Sequence, residues 1–308
     1  MEQIITRFVE TGTEREARQL WKLCSQSQWV YNDAVKKLRE LQGNLPLVEV
    51  LYQPFDRRWT VWDRHVSVHL RDRIHKHMWL PNFSINLIRK MDIVGQWSHV
   101  LIFDRPISHH AVSSKEVNFI FPLFLYQDET RQENISAEFR SFLDERYAHH
   151  YAPEEILAYI YSVLYSPTYR NRYADFLRID FPRIPFADSR EDFDALSLLG
   201  WELIEAHLLR NVPSRGLGKF TGKGDREVVA VTYGEVEQKV HINKDQSFGP
   251  VPEDVWRFTI GGYQVLDKYL KSRKGRSLCL DEIKHVAKVA DCLSFTIDQM
   301  KRIDEAWC

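Results

Sequence analysis

The amino-acid sequence predicts an α+β protein: a β-rich N-terminal half followed by a mainly helical C-terminal half with a β-hairpin. Three features carry this. Short runs of aromatic and β-branched residues crowd residues 48–126. Apolar residues recur at three- and four-residue steps over residues 13–42, and again repeatedly after residue 133. Two alternating segments, 228–232 and 235–242, flank Tyr233-Gly234 as strands flank a turn. With 308 residues, 44% of them hydrophobic, the chain can bury a sizeable core, as two domains or one large one. The change of character sets a soft boundary near residues 128–133, giving parts 1–130 and 131–308.

In residues 13–42, Leu20, Leu23, Val30, Ala34, Leu38 and Leu41 keep helical spacing and Gly43 supplies a stop, so one helix is expected. Strands are expected at 48–52, 59–62, 83–88, 97–103 and 117–126. A basic, histidine-rich stretch, 65–79, interrupts them and reads as helix. Beyond the boundary, 136–147 and 153–165 read as helices. Ser166-Pro167 ends the second, because proline cannot donate to the preceding turn and restrains the residue before it. A helix over 168–178 follows, then a proline-punctuated segment, 179–186. Residues 189–210 form an amphipathic helix with Phe193, Leu196, Leu199, Leu203 and Leu208 near one face. Helices at about 263–272 and 280–305 close the chain.

Charge is balanced, 42 basic residues against 43 acidic, so bulk charge neither favours nor disfavours nucleic acid and local clusters must decide. Cys24, Cys279, Cys292 and Cys308 are widely spaced with no CxxC, which suits a reducing compartment better than a disulfide framework. The N-terminus has no apolar signal core. The longest run without Asp, Glu, Lys or Arg is 14 residues, 156–169, short of the roughly 18 that suggest a membrane span. The expectation is a cytoplasmic protein with no membrane partner. There is no GxxxxGK[ST], GxGxxG, GxSxG or HExxH, and no Asn/Asp-Pro-Pro-Tyr/Phe of the amino-methyltransferases. A chain doing its own nucleotide or methyl-donor chemistry should show one of these; no cofactor is expected.

Local clusters offer candidates. Lys268, Lys271, Arg273, Lys274 and Arg276 place five cations in nine residues with no acid among them. Such a cluster neutralises phosphates, or offsets a helix C-terminal dipole. The loop from Arg215 to Arg226 carries Lys219 and Lys223 among four glycines. Those glycines let backbone amides approach a phosphate, or simply make a flexible connector. Arg57 and Arg58 stand beside a turn, followed by Arg64, Arg71, Arg73 and Lys76; arginine reads guanine and clamps phosphate. The competing assignment pairs these arginines with Asp56 and Asp63. His65 and His69 stand four apart, and His109-His110 and His149-His150 are adjacent, but a metal site needs three or four convergent ligands. Glu237-Gln-Lys239 with Asp225 upstream superficially resembles half of a nuclease metal site; a solvated strand face explains it as well.

Longer stretches say more. YIYSVLYSPTYRNRYADFLRIDFPRIP over 159–185 and WRFTIGGYQVLDKYLKSRKGR over 256–276 are long and specific. With YQPFDRRW (52–59), FPLFLY (121–126), LLGWELIEAHLL (198–209) and the closing helix through Asp304, they run collinearly over nearly the whole chain from about residue 48. Together they resemble the C-terminal specificity domain of Type ISP restriction–modification enzymes. In that family one polypeptide joins a nuclease, a helicase-like motor, an amino-methyltransferase and this target-recognition region.

The resemblance implies a reader without catalysis of its own. It would recognise a short sequence in double-stranded DNA while an adenine is flipped into a methyltransferase pocket elsewhere. The methyltransferase and helicase portion would come in cis or in trans. Arg57, Arg58, Arg64 and Arg71 would belong to a β-rich base-reading part. Lys219, Lys223, Lys271, Arg273, Lys274 and Arg276 would lie on a helical scaffold gripping the backbone. The Gly-Gly-Tyr-Gln and Phe-Pro-Arg-Ile-Pro signatures read as core punctuation rather than contacts. Two other functions stay open: a catalytic remnant or Mg²⁺-dependent nuclease, and a protein-docking subunit of a methyltransferase.

Overall fold

The computed structural model describes residues 2–23, 27–92, 94–128 and 130–307; Cys24 and Cys308 lie outside these. The chain opens with helices α1 (Glu2–Val9), α2 (Glu14–Trp21) and α3 (Tyr31–Glu40). Strands β1 (Leu47–Gln53) and β2 (Asp56–Val61) form a hairpin, followed by a short helix α4 (Asp72–His75) running into a 3₁₀ turn. Strands β3 (Ser84–Ile88), β4 (Val100–Phe103) and β5 (Asn118–Pro122) make an antiparallel sheet in the order β4-β3-β5. Strands β6 (Phe124–Gln127) and β7 (Thr130–Glu133) pair as a second hairpin.

The rest is mainly helical: α5 (Ala137–Tyr147), α6 (Pro153–Tyr165), α7 (Pro167–Arg172), α8 (Ala174–Ile179) and α9 (Arg190–His207). A small sheet follows, of β8 (Lys219–Thr221), β9 (Thr232–Gly234), β10 (Lys239–His241) and β11 (Ser247–Gly249), ordered β8-β11-β10-β9. Helix α10 (Glu253–Arg257), a tight pair β12 (Thr259–Ile260) and β13 (Tyr263–Gln264), α11 (Val265–Lys271) and the long α12 (Leu280–Trp307) complete the chain. The architecture is α+β, with more strand in the first half and more helix in the second. No helix among the described residues is long and apolar enough to cross a membrane.

Several expected elements differ. The helix expected over 13–42 is two helices. α2 starts in a capping box, in which Thr13 and Glu16 satisfy each other's amides, and ends at Lys22 in the left-handed region (φ 51°). The histidine-rich stretch is helical only at its end, because His69 (φ 57°) and Arg71 (φ 50°) both take left-handed conformations that no helix accommodates. The helix expected over 168–178 is broken at Tyr173 into α7 and α8. Tyr233-Gly234 is not a turn: both residues lie in β9, Val240 faces Tyr233, and the chain reverses over 235–238 with Gln238 at φ 50°. The glycine loop contains a strand, β8, and a Cβ on Gly222 would sit 1.9 Å from the Asp245 carbonyl oxygen, so glycine is required there.

The core is organised by α6. Its tyrosines are fully buried, and each hydroxyl reaches a partner outside the helix. Tyr159 stacks on Phe193 (4.2 Å between ring centroids) and donates to the Pro185 carbonyl (2.9 Å). Tyr161 accepts from the Ile102 amide of β4 and donates to His207 Nδ1 (2.6 Å). His207 Nε2 in turn lies 2.8 Å from Thr296 of α12. Burial drives the His207 pKa down to about 3, so the imidazole is neutral and can accept from Tyr161. Tyr165 donates to the Val100 carbonyl (3.0 Å), and Tyr169 of α7 to the Arg183 carbonyl (2.9 Å). The Phe-Pro-Arg-Ile-Pro segment is thus held through its carbonyls against buried tyrosines. Gly-Gly-Tyr-Gln makes a comparable junction: Gly261 donates to Ser98, Gly262 to Val112, and Tyr263 to the His110 carbonyl. Buried side chains from Leu51 to Ile303 form one core, present on both sides of residues 128–133.

Gly200 lies where α9 crosses α6, and a Cβ there would meet the Ala158 carbonyl oxygen at 1.9 Å. We expect Gly200→Ala to separate the two helices and cost at least ~1–3 kcal/mol, read as a lower urea midpoint. An unchanged midpoint would contradict this packing.

Candidate nucleic-acid interface

The β1–β2 hairpin is tight. Phe55 takes φ 60° at its tip, an unusual conformation for an aromatic residue, and Asp56 beneath it is almost fully buried. That carboxylate accepts from Arg58 (2.7 Å) and from Arg273 (2.8 Å), joining the hairpin to the end of α11 across 217 positions of sequence. Arg273 also donates to Glu282 of α12 (2.8 Å) and lies 3.4 Å above the Tyr269 ring centroid. Burial alone would raise the Glu282 pKa. Hydrogen bonds from Arg276, the Cys279 amide and Arg273 outweigh it and hold the carboxyl at about 2.

The arginines singled out in the sequence therefore divide. Arg273 is the buried centre of an ion network and presents nothing to a surface ligand. Arg57 points away from the hairpin tip and donates to the Leu208 carbonyl (2.9 Å). Arg71 is half-buried, donating to the Asn118 carbonyl (2.6 Å) and lying 2.5 Å from His109 Nδ1. Arg58 keeps a partly exposed guanidinium flat over Tyr52, 3.9 Å from the ring centroid, with Ser272 at 3.1 Å. Asp56 pairs with Arg58, but Asp63 contacts His65. Arg64 is exposed in the turn after β2, with no ion pair among the described residues.

The two basic stretches meet. Glu227 and Ser277 form an antiparallel bridge, flanked by hydrogen bonds from Val228 to Arg276, Gly275 to Val228 and Leu278 to Arg226. The end of the glycine loop is thereby sewn to the turn after α11. Lys219, Lys223 and Lys274 are exposed, with no ion pair among the described residues. Lys271 pairs with Asp267 (2.8 Å), and the half-exposed Arg276 pairs with Glu282.

Beside Arg58 lies a groove of about 540 Å³. Alternation along the hairpin puts Tyr52, Arg58, Thr60 and Trp62 on one face as one wall. Residues 66–70 and 107–110 face it, and Leu23 and Trp29, which lie between α2 and α3, also line it. His69 and His109 stack within it (4.7 Å between centroids). Burial, then Arg71 and the neighbouring histidines, push the His109 pKa down to about 4, so this ring is neutral near pH 7. Gln53 lines the same groove; it is 8% exposed, and its Oε1 has no partner among the described residues. Sequence reasoning quoted Tyr52 and Gln53 within a signature without assigning them to a site.

The other candidates resolve simply. Glu237 is exposed and bonded to His241 at 3.0 Å, while Asp225 accepts from the Glu227 amide. No group of three or more His, Cys, Asp and Glu among the described residues is placed to hold a metal ion.

Comparison with known proteins identifies the family. The model of the Type ISP C-terminal specificity domain matches residues 1–302, and the chain belongs to that family. The solved structures that share its fold include these three. One is a cryo-electron microscopy structure of a DrdV–DNA complex, with 20% identity and a TM-score of 0.70 over 99% of this chain and 33% of that one. The second is a nuclease-deletion mutant of the Type ISP restriction–modification enzyme LlaGI in complex with a DNA substrate mimic, with 17% identity and a TM-score of 0.63 over 99% and 25%. The third is the ATP-dependent Type ISP restriction–modification enzyme LlaBIII bound to DNA, with 15% identity and a TM-score of 0.69 over 98% and 21%. The chain thus spans a fifth to a third of the length of these relatives. No curated protein matches it.

Two outcomes test the ion network. Arg273→Met leaves Asp56 and Glu282 without their central partner and should cost about 3–5 kcal/mol, whereas Lys274→Met should stay within about 0.5 kcal/mol in the same denaturation assay. Glu282 is depressed in the folded state, so its contribution is full above the unfolded value near 4.5 and is lost as pH falls toward about 2. Urea midpoints of Glu282→Gln should therefore lie a constant interval below wild type from about pH 7 to 5, and that interval should narrow at lower pH.

Proposed function

We propose that the chain is the target-recognition part of a Type ISP-like restriction–modification system. It reads a sequence in double-stranded DNA and has no catalysis of its own. It works in the cytoplasm with a methyltransferase and helicase portion supplied in cis or in trans. The observation that supports this is the Glu227–Ser277 bridge, which joins the end of the loop that carries Lys219 and Lys223 to the turn that carries Lys274 and Arg276. Cations so grouped suit a phosphate backbone, where each contact releases counterions and adds sequence-independent affinity. Membership of a specificity-domain family, and the DNA present in the DrdV, LlaGI and LlaBIII structures, support the same reading.

Within it, Lys219, Lys223, Lys274 and Arg276 set register on the backbone, with Lys271 at the rim. Of the four arginines assigned to base reading, Arg58 and Arg64 are the two left to approach bases. Arg57, Arg71 and Arg273 act through the scaffold. A nuclease reading gains nothing from Glu237 and Asp225, which are engaged separately in a turn and in a backbone cap.

The test is fluorescence anisotropy with a short duplex across a salt series. Wild type should lose affinity linearly on a logarithmic salt axis. Replacing Lys219, Lys223 and Lys274 together by alanine should reduce the slope by about 3, near 0.9 per lost phosphate contact, without lowering the melting temperature. Salt-independent binding, or a triple variant with the wild-type slope, would refute this reading.

A further inference from the structure

The groove beside Arg58 is far too small for a duplex, and its size is that of a cavity for a small, flat group. Its walls offer aromatic faces from both sides: Tyr52 and Trp62 on the hairpin, and the stacked imidazoles of His69 and His109 opposite. Such faces take any base, because every base has a π-surface. The groove's lip is cationic: Arg58, flat on Tyr52, is bonded to Ser272, which adjoins Lys271 and lies two residues from Lys274. A phosphate at that turn would bring its own base to the mouth.

We propose that this groove receives a single nucleobase unstacked from the duplex, with Tyr52 and the His69–His109 pair as its stacking partners. This rests on the DNA-binding reading above and adds to it a second, non-catalytic seat for a base. The geometry needs no covalent step.

The experiment compares two probes on the full chain: a fully paired duplex, and the same duplex carrying one unpaired 2-aminopurine. The unpaired probe should bind about tenfold more tightly, with its fluorescence quenched by stacking. Tyr52→Ala should bring the affinity ratio near one and restore the fluorescence. If Tyr52→Ala melts early by circular dichroism, Tyr52→Leu keeps the apolar bulk and takes its place. Steep salt-dependent binding of both probes with equal affinity would overturn the groove assignment alone. So would variants that retain the tenfold preference. Binding of neither probe would overturn the DNA-binding reading as well.

Discussion

The fold depends on the tyrosine hydroxyls of α6. A helix this apolar could pack against almost any greasy surface, and hydrophobic burial alone does not choose among them. The hydroxyls do choose, because each buried O–H needs a partner in one place. Tyr161 and Tyr165 find theirs on β4, Tyr159 on the Pro185 carbonyl, and Tyr161 also on His207 of α9. These bonds fix the helical half against the sheet at set points. His207 passes the constraint on to α12 through Thr296. The polar groups thus supply register while the surrounding leucines and phenylalanines supply most of the stabilisation.

On that frame a second polar junction shapes the surface. Asp56 collects one arginine from its own hairpin and another from the far end of the chain, and Glu282 completes the set. Desolvation makes such a cluster costly to assemble and more costly to break. Its effect here is geometric. It holds the hairpin beside the turn after α11, and so fixes the distance between the aromatic wall and the exposed lysines. Arg273, the most buried member of a run that looks uniformly basic in sequence, is what keeps Lys274 and Arg276 in position.

Much of the fold was legible because periodicity and burial agreed. Residues 189–210 and 280–305 alternate as helices and are helices, and the strands at 48–52 and 83–88 fall where aromatic and β-branched residues gather. The failures have local causes. Lys22, His69, Arg71 and Gln238 adopt positive φ without being glycine, held by contacts no propensity reports. Strands β8 and β11 are three residues long and exist because they find each other, which is tertiary information. The site was half legible. Arginine and lysine runs stood out, but whether a given cation is spent on a distant carboxylate cannot be read locally: Lys274 and Arg273 are neighbours with opposite fates. The groove was invisible because its walls come from segments far apart in sequence.

The three N-terminal helices keep a small apolar cluster of their own around Ala17, Tyr31 and Val35, apart from the main core, and Leu23 and Trp29, which lie between the second and third of them, touch the groove. Trp29 is anchored outside that cluster by its indole N–H, which donates to Val66. The cleft is therefore bounded on one side by an appendage whose internal packing is independent of the body. Sequence drift within that appendage would reset the gauge of the cleft while leaving the central framework undisturbed, a route by which one scaffold could acquire new preferences without being rebuilt.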